Sequence, residues 1–337
     1  MRPTHSVTSG LSARRQFWIV LLTTAVLGLG ASQLTARWLG FQTIAMTPYD
    51  YGAGAAPVRA FAASSSLGYY GLDWGAIATN TGWSIRRYDI PAGSPCEMEA
   101  GQELATNATA SILVVSAFDL DEGFFSEFRC ALVPLGRTFQ DLRESQASWA
   151  FSKRALSRYP EYWLKQVFPT AGSSMGVLVG LRSKAQAWRR SGGPSDKAVL
   201  NGSQAQEKTE RVCDWDQGKL LRNAATLNAS AQGTHFYSGP KHQSLRRILD
   251  RARMRGRVVV VVLPVSPAYH RLVGDKSATE FETSLAGFER DFPTAQFVRL
   301  DRLKGLSDDC NFWDLVHLNV YGRAIATREL EQRLAAR

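Results

Sequence analysis

No two of the four cysteines stand in the Cys-x-x-Cys spacing of a structural zinc site, so zinc ribbons and fingers are excluded. No segment repeats at a fixed period, which excludes solenoids and propellers. The formal charge is +10, yet no nucleic-acid-binding motif accompanies it, and no nucleic-acid partner is expected. One dense basic cluster exists: Arg246, Arg247, Arg251, Arg253, Arg255 and Arg257. It reads as a solvated helix face, with contact to an anionic glycan or lipid surface as the other use. The one long apolar run has neither a lipobox cysteine nor a small-x-small cleavage site behind it.

What is present describes a globular protein. Apolar residues make up 45% of the 337 and include 9 Trp, enough for one large α/β domain. Arg14 and Arg15 precede an uncharged run, residues 17–34, which Arg37 closes. About twenty such residues cross a hydrocarbon core of roughly 30 Å. The expectation is a cytoplasmic tail (1–15), an uncleaved transmembrane signal anchor (16–36), a tether (37–57) and a domain (58–337) outside the cytoplasm. In that oxidising compartment Cys96, Cys130, Cys213 and Cys310 form one or two disulfides in any of three complete pairings, or remain four buried thiols.

Within the domain, short strands are expected to end at Ser64 and to run from Trp83 toward Gly93 and over 110–116. Val258-Val-Val-Val-Val-Leu263 reads as a strand covered on both faces. A helix leads into it: Ser238 and Pro240 signal its start, Leu245, Ile248, Leu249 and Ala252 recur at i, i+3, i+4 and i+7, and Gly256 ends it. Another helix is expected over about 278–292, followed by a last strand over 296–300. Helices alternating with buried strands predict a three-layer α/β sandwich around a parallel sheet. Between about 140 and 211 the pattern degrades, as in an insertion.

The chemistry is concentrated at the two ends of this domain. Asp314 and His317 stand three positions apart, before Leu318, Asn319 and Gly322 and a C-terminal helical pattern. In a turn opening a helix the carboxylate can accept the Nδ1 proton of the ring and leave Nε2 as a general base. A nucleophile is offered by Ser64-Ser65-Ser66-Leu67, followed by Gly71-Leu72-Asp73, where an apolar strand runs into a helix start. Ser66 is the first choice by register and Ser65 the alternative nucleophile. Asp119 suits a structural hydrogen bond.

These blocks resemble the SGNH (GDSL-type) hydrolase superfamily, in particular its membrane-anchored members that transfer acyl groups on cell-envelope polysaccharides. Ser64 stands where that pattern has Gly, Ser65 where it has Asp, and Asp314 to His317 matches its Asp-x-x-His block. The resemblance implies an SGNH/flavodoxin-like fold, a Ser66–His317–Asp314 triad, an oxyanion hole using the Gly93 N–H, and neither metal nor cofactor. It further implies an acylated glycan or other ester as substrate and a multispanning membrane acyl donor as partner. The third block departs, with Ser116-Ala-Phe-Asp119 where Gly-x-Asn-Asp is usual. The expected function is therefore an extracytoplasmic serine esterase or O-acyltransferase; the alternative is an inactive SGNH-like module that binds glycan or organises a complex.

Overall fold

The computed structural model describes residues 15–24, 26–28, 30–31, 49–51, 58–90, 93–102, 105, 107–122, 209, 211–226 and 237–335. The chain divides into two compact units, and the larger, Met46–Tyr159 with Gln204–Arg337, carries the sheet. In the smaller, residues 15–24, 26–28 and 30–31 are helical, with Phe17, Trp18, Leu22, Val26 and Leu27 exposed. Among the described residues no helix is long and apolar enough to cross a membrane. The expected span, 16–36, lies partly outside the described residues.

The larger unit is α/β. Its strands are β1 (Tyr49–Tyr51), β2 (Arg59–Ser65), β3 (Ser84–Ile90), β4 (Ala110–Ser116), β5 (Arg257–Leu263) and β6 (Gln296–Arg299), in the order β1-β3-β2-β4-β5-β6. All pairings are parallel except β1 with β3. β4 is buried throughout and β5 from Val258 to Leu263, as a sheet covered on both faces requires. Each Val or Leu so buried contributes about 1.5–3 kcal/mol of hydrophobic stabilisation. The edge strand β1 lies inside the stretch expected to be a tether. Three residues are too few to show a period, and its register is fixed from outside: Asp50 accepts two hydrogen bonds from its partner Arg86, at 2.8 and 3.1 Å.

Helices α1 (Ser66–Gly71), α2 (Trp74–Thr81), α3 (Pro95–Gly101) and α4 (Ala117–Leu120) follow the early strands. Then come α5 (Gln217–Thr226), α6 (Pro240–Arg253), α7 (Pro267–Asp291) and α8 (Val320–Ala335). α7 starts well before the expected residue 278, at Pro267, and breaks at Gly274, whose φ of 82° is left-handed. The expected insertion lies outside the described residues apart from Thr209 and Arg211.

The basic cluster is not a free solvated face. Arg247 and Arg251 both grip the buried carboxylate of Glu99 on α3, at 2.9 Å each. Arg246 pairs with Asp291 at 2.7 Å, and Arg257 lies over the Trp83 ring at 5.1 Å. The ion pairs bind α6 to its neighbours, a use that charge pattern alone does not distinguish from solvation, and Arg257 belongs to β5.

A buried polar cluster joins the residues after α4 to the start of α6. Glu122 Oε1 accepts from the Lys241 and His242 N–H groups at 2.7 and 3.2 Å, capping α6 from just beyond α4. The buried Lys241 ammonium donates to the Asp121 carbonyl. A Cβ on Gly239 would fall 2.6 Å from Glu122 Cδ, so only glycine lets the carboxyl reach the helix. Burial pushes the Glu122 carboxyl up to about 8, partly offset by the charge of Lys241.

Candidate active site

After β2 the chain passes to β3 on one side, and after β3 it crosses to β4 on the other. The C-terminal ends of β2 and β4 therefore border the crevice where open parallel sheets place their ligands. Ser66 opens α1 directly off the end of β2. α1 lies tight against that strand: a Cβ on Gly68 would fall 2.4 Å from Ser64 Cβ.

The three serines have different partners. Ser64 donates to the buried Asp89 on β3, which also pairs with Arg87. Burial raises the Asp89 carboxyl to about 6, against the lowering effects of the Arg87 charge and the Ser64 hydrogen bond. The Arg87 guanidinium lies over the Tyr69 and Tyr51 rings, at 5.1 and 5.2 Å from their centroids, so it links α1, β1 and β3. Ser65 is buried and caps α1, accepting from the Leu67 N–H at 3.1 Å. Ser66 is half-buried, and its Oγ lies 2.9 Å from His317 Nε2.

The loop after β6 brings His317 back to α1. Trp313 N–H donates to the His317 carbonyl at 3.1 Å, and Phe312 and Leu318 form an antiparallel bridge, closing a small loop around Asp314. Asp314 Oδ1 accepts from the Val316 and His317 N–H groups at 2.8 and 2.7 Å. Its Oδ2 lies 2.7 Å from His317 Nδ1. A carboxylate only accepts, so the ring proton sits on Nδ1 and Nε2 faces the Ser66 hydroxyl as an acceptor. Asn319 then caps α8, accepting from the Tyr321 and Gly322 N–H groups at 3.0 and 3.1 Å. Its amide donates back to the Cys310 carbonyl at 2.8 Å, locking loop to helix.

Asp314 and His317 are 5% and 8% exposed, whereas Ser66 is only half-buried. Trp313 stacks on the imidazole, with centroids 5.1 Å apart and planes 18° apart, and Tyr70 meets it edge-on at 5.4 Å. These two rings hold the imidazole from two sides. Neither was expected from sequence, although a Trp directly before the Asp was open to notice. Gly93 is buried three residues past the end of β3, whose Ile90 is the register partner of Ser65. Asp119 exchanges hydrogen bonds with Ser116 at 3.0 and 3.2 Å, a local structural role.

Cys213 and Cys310 form a disulfide, Cys96 is disulfide-bonded as well, and no free cysteine occurs among the described residues. An oxygen nucleophile, an oriented imidazole and a buried carboxylate in one chain of hydrogen bonds are equipped for nucleophilic acyl chemistry. No protein-family model matches the chain, and no curated protein matches it.

Proposed function

We propose that this protein is a membrane-anchored, extracytoplasmic serine esterase or O-acyltransferase of SGNH type, acting on ester-linked acyl groups of envelope glycans. The observation that carries the reading is the continuous chain from Ser66 Oγ to His317 Nε2 (2.9 Å) and from His317 Nδ1 to Asp314 Oδ2 (2.7 Å). In this mechanism Ser66 attacks the acyl carbonyl carbon while its proton passes to His317 Nε2, and Asp314 stabilises the imidazolium. The tetrahedral oxyanion is held by the N–H groups of Ser66 and Gly93. Its collapse expels the alcohol, which takes the proton from His317 and leaves an acyl-serine. Water releases the acyl group as a carboxylic acid, or a sugar hydroxyl takes it up as a new ester.

The apolar run 17–34 behind Arg14 and Arg15 supports anchoring with the N-terminus inside, and disulfides at Cys213–Cys310 and Cys96 suit an oxidising compartment. A multispanning acyl donor is the membrane partner this reading calls for. The inactive-module alternative draws on the absent third-block Asn, and a fluorophosphonate decides between the two. A label on Ser66, mapped by mass spectrometry and lost in His317→Ala, is the expected result. A folded wild-type protein that never labels hands the case to the inactive module. A C-terminal reporter active only in the cytoplasm refutes the topology.

A further inference from the structure

The stretch 211–226 is attached to the histidine loop and to the start of α8. The Cys213–Cys310 disulfide joins positions 97 apart in sequence. One residue earlier, Val212 N–H donates to the Phe312 carbonyl at 3.3 Å. Arg211 places its guanidinium 4.6 Å from the Tyr321 ring centroid, at the start of α8. Farther on, Asn223 Oδ1 accepts from the Leu315 N–H at 3.2 Å. Asp216 starts α5 in a fixed place, since its Oδ1 accepts from the Lys219 N–H at 2.7 Å, and so sets how far Asn223 stands from the disulfide.

The Leu315 amide is the one that matters. Of the N–H groups in the triad turn, that of Trp313 goes to the His317 carbonyl, and those of Val316 and His317 go to Asp314 Oδ1. Leu315 is fully buried and finds its acceptor only across the fold, on Asn223. Its own carbonyl, in the next peptide, accepts from the Ser266 N–H at 3.0 Å, so Leu315 is held at both its N–H and its C=O. Without the Asn223 acceptor a buried amide is left unmatched, and the peptide between Asp314 and Leu315 turns to find another. That peptide is attached to Asp314, whose Oδ2 orients the imidazole.

We infer that residues 211–226 form a disulfide-anchored arm whose Asn223 is a positioning residue for the Asp314–His317 turn. The inference rests on the proposed esterase reading for its effect on rate, but not for its effect on geometry. The arm needs no contact with substrate; it fixes the direction of a carboxylate already committed to three donors.

The test compares the full-length protein with Asn223→Ala, Asn223→Asp and Cys213→Ser/Cys310→Ser. Three readouts are taken: the fluorophosphonate labelling rate of Ser66, the downfield proton resonance of His317 Nδ1–H, and exchange of the Leu315 amide. Asn223→Ala should slow labelling about tenfold or more, as sub-ångström misplacement does, weaken the downfield resonance and speed Leu315 exchange. Asn223→Asp keeps an acceptor at the same reach and should recover most of all three, which a merely structural asparagine would not require. The double cysteine variant, which leaves the bond at Cys96 intact, should shift the readouts in the same direction and serves if Asn223→Ala does not fold. A wild type that never labels, but whose Leu315 exchange and Nδ1–H signal still answer to Asn223→Ala, sinks the esterase reading and supports the arm. Unchanged resonance and Leu315 exchange in folded Asn223→Ala overturn the arm, whatever the labelling shows.

Discussion

Replacing Gly68 by Ala tests how tightly the position of Ser66 is specified. In an open helix the exchange stabilises by about 1 kcal/mol, because Gly is the poorer helix former. Here the added Cβ would fall 2.4 Å from Ser64 Cβ, 2.6 Å from Ser64 Oγ and 3.3 Å from Val114 Cβ. Carbon contacts settle near 3.5–4.0 Å, so one partner must withdraw by roughly 1 Å. Strand β2 cannot, for it is held in register by β3 on one side and β4 on the other. The six-residue α1 must move instead, and Ser66 is its first residue. A 2.9 Å hydrogen bond to His317 stretched by about that much is lost, and misplacement on this scale costs about 10²-fold in rate. Overpacking adds a stability loss of about 1–3 kcal/mol. The assay is fluorophosphonate labelling and kcat/KM on an activated ester, read beside the thermal midpoint. Gly287→Ala, in α7 with nothing within 4 Å of the new Cβ, is the control that should leave activity alone. Ser64→Gly in the Gly68→Ala background should recover part of the rate by removing the atom that is struck. A folded Gly68→Ala protein labelling within about threefold of wild type would refute the reasoning, since a 1 Å shift should cost far more.

Triad members act as a unit, so Ser66→Ala and His317→Ala should each remove nearly all ester turnover, with the double variant scarcely worse, as steady-state kinetics will show. Asp314→Asn should fold but favour the wrong imidazole tautomer, with a kcat loss approaching the roughly 10⁴-fold of the serine-protease template; retention of a tenth of the activity would remove Asp314 from the mechanism. The Glu122 carboxyl, raised by burial from 4.5 to about 8, holds an extra proton in the folded state across that window, so stability should fall as pH rises through it and level off above. Glu122→Gln keeps the Oε1 acceptor for α6 and should flatten this slope in denaturant titrations run from pH 5 to 9, about 1 kcal/mol or more being recovered at the alkaline end if the carboxyl is the cause.

Elements with a strong period or a hard stop were readable from sequence. Five valines and a leucine cannot be anything but a covered strand next to a helix that ends at Gly256, and β5 and α6 stand where that pattern puts them. α6 was legible from both ends, with Pro240 at its first position and apolar residues on one face. β1 was not, because three residues carry no period and its partner β3 lies 33 residues on, from Tyr51 to Ser84. The start of α7 was missed for another reason: Gly274 breaks the helix and hides the turn that Pro267 begins. At the site, Asp314 and His317 were legible because their spacing is itself the geometry. Asn223 left no trace, since an asparagine 92 residues away offers nothing local to read.

The three consecutive serines bear on the two departures from the SGNH first block that the chain resembles. Where that pattern has Asp, Ser65 uses its oxygen to accept the Leu67 N–H at the start of α1. Capping a helix start is work that Asp and Ser do about equally well, so the exchange changes the residue without changing the contact. Where the pattern has Gly, Ser64 carries a side chain toward α1, and the chain accommodates it by placing Gly68 opposite and Asp89 beside it. The room that Gly at 64 would have supplied is supplied from the other partner of the contact. Both departures are therefore absorbed below the hydroxyl of Ser66, and neither touches the hydrogen bond to His317 Nε2. The third-block departure is of a different kind, because an Asn amide there would address the oxyanion and not the scaffold. On the proposed reading, the serine exchanges leave the route to an acyl-serine open, while the missing Asn would bear on its rate. A chain altered in this way should label readily with a fluorophosphonate and turn over slowly on water, the kinetic signature of an enzyme that waits for a better acceptor.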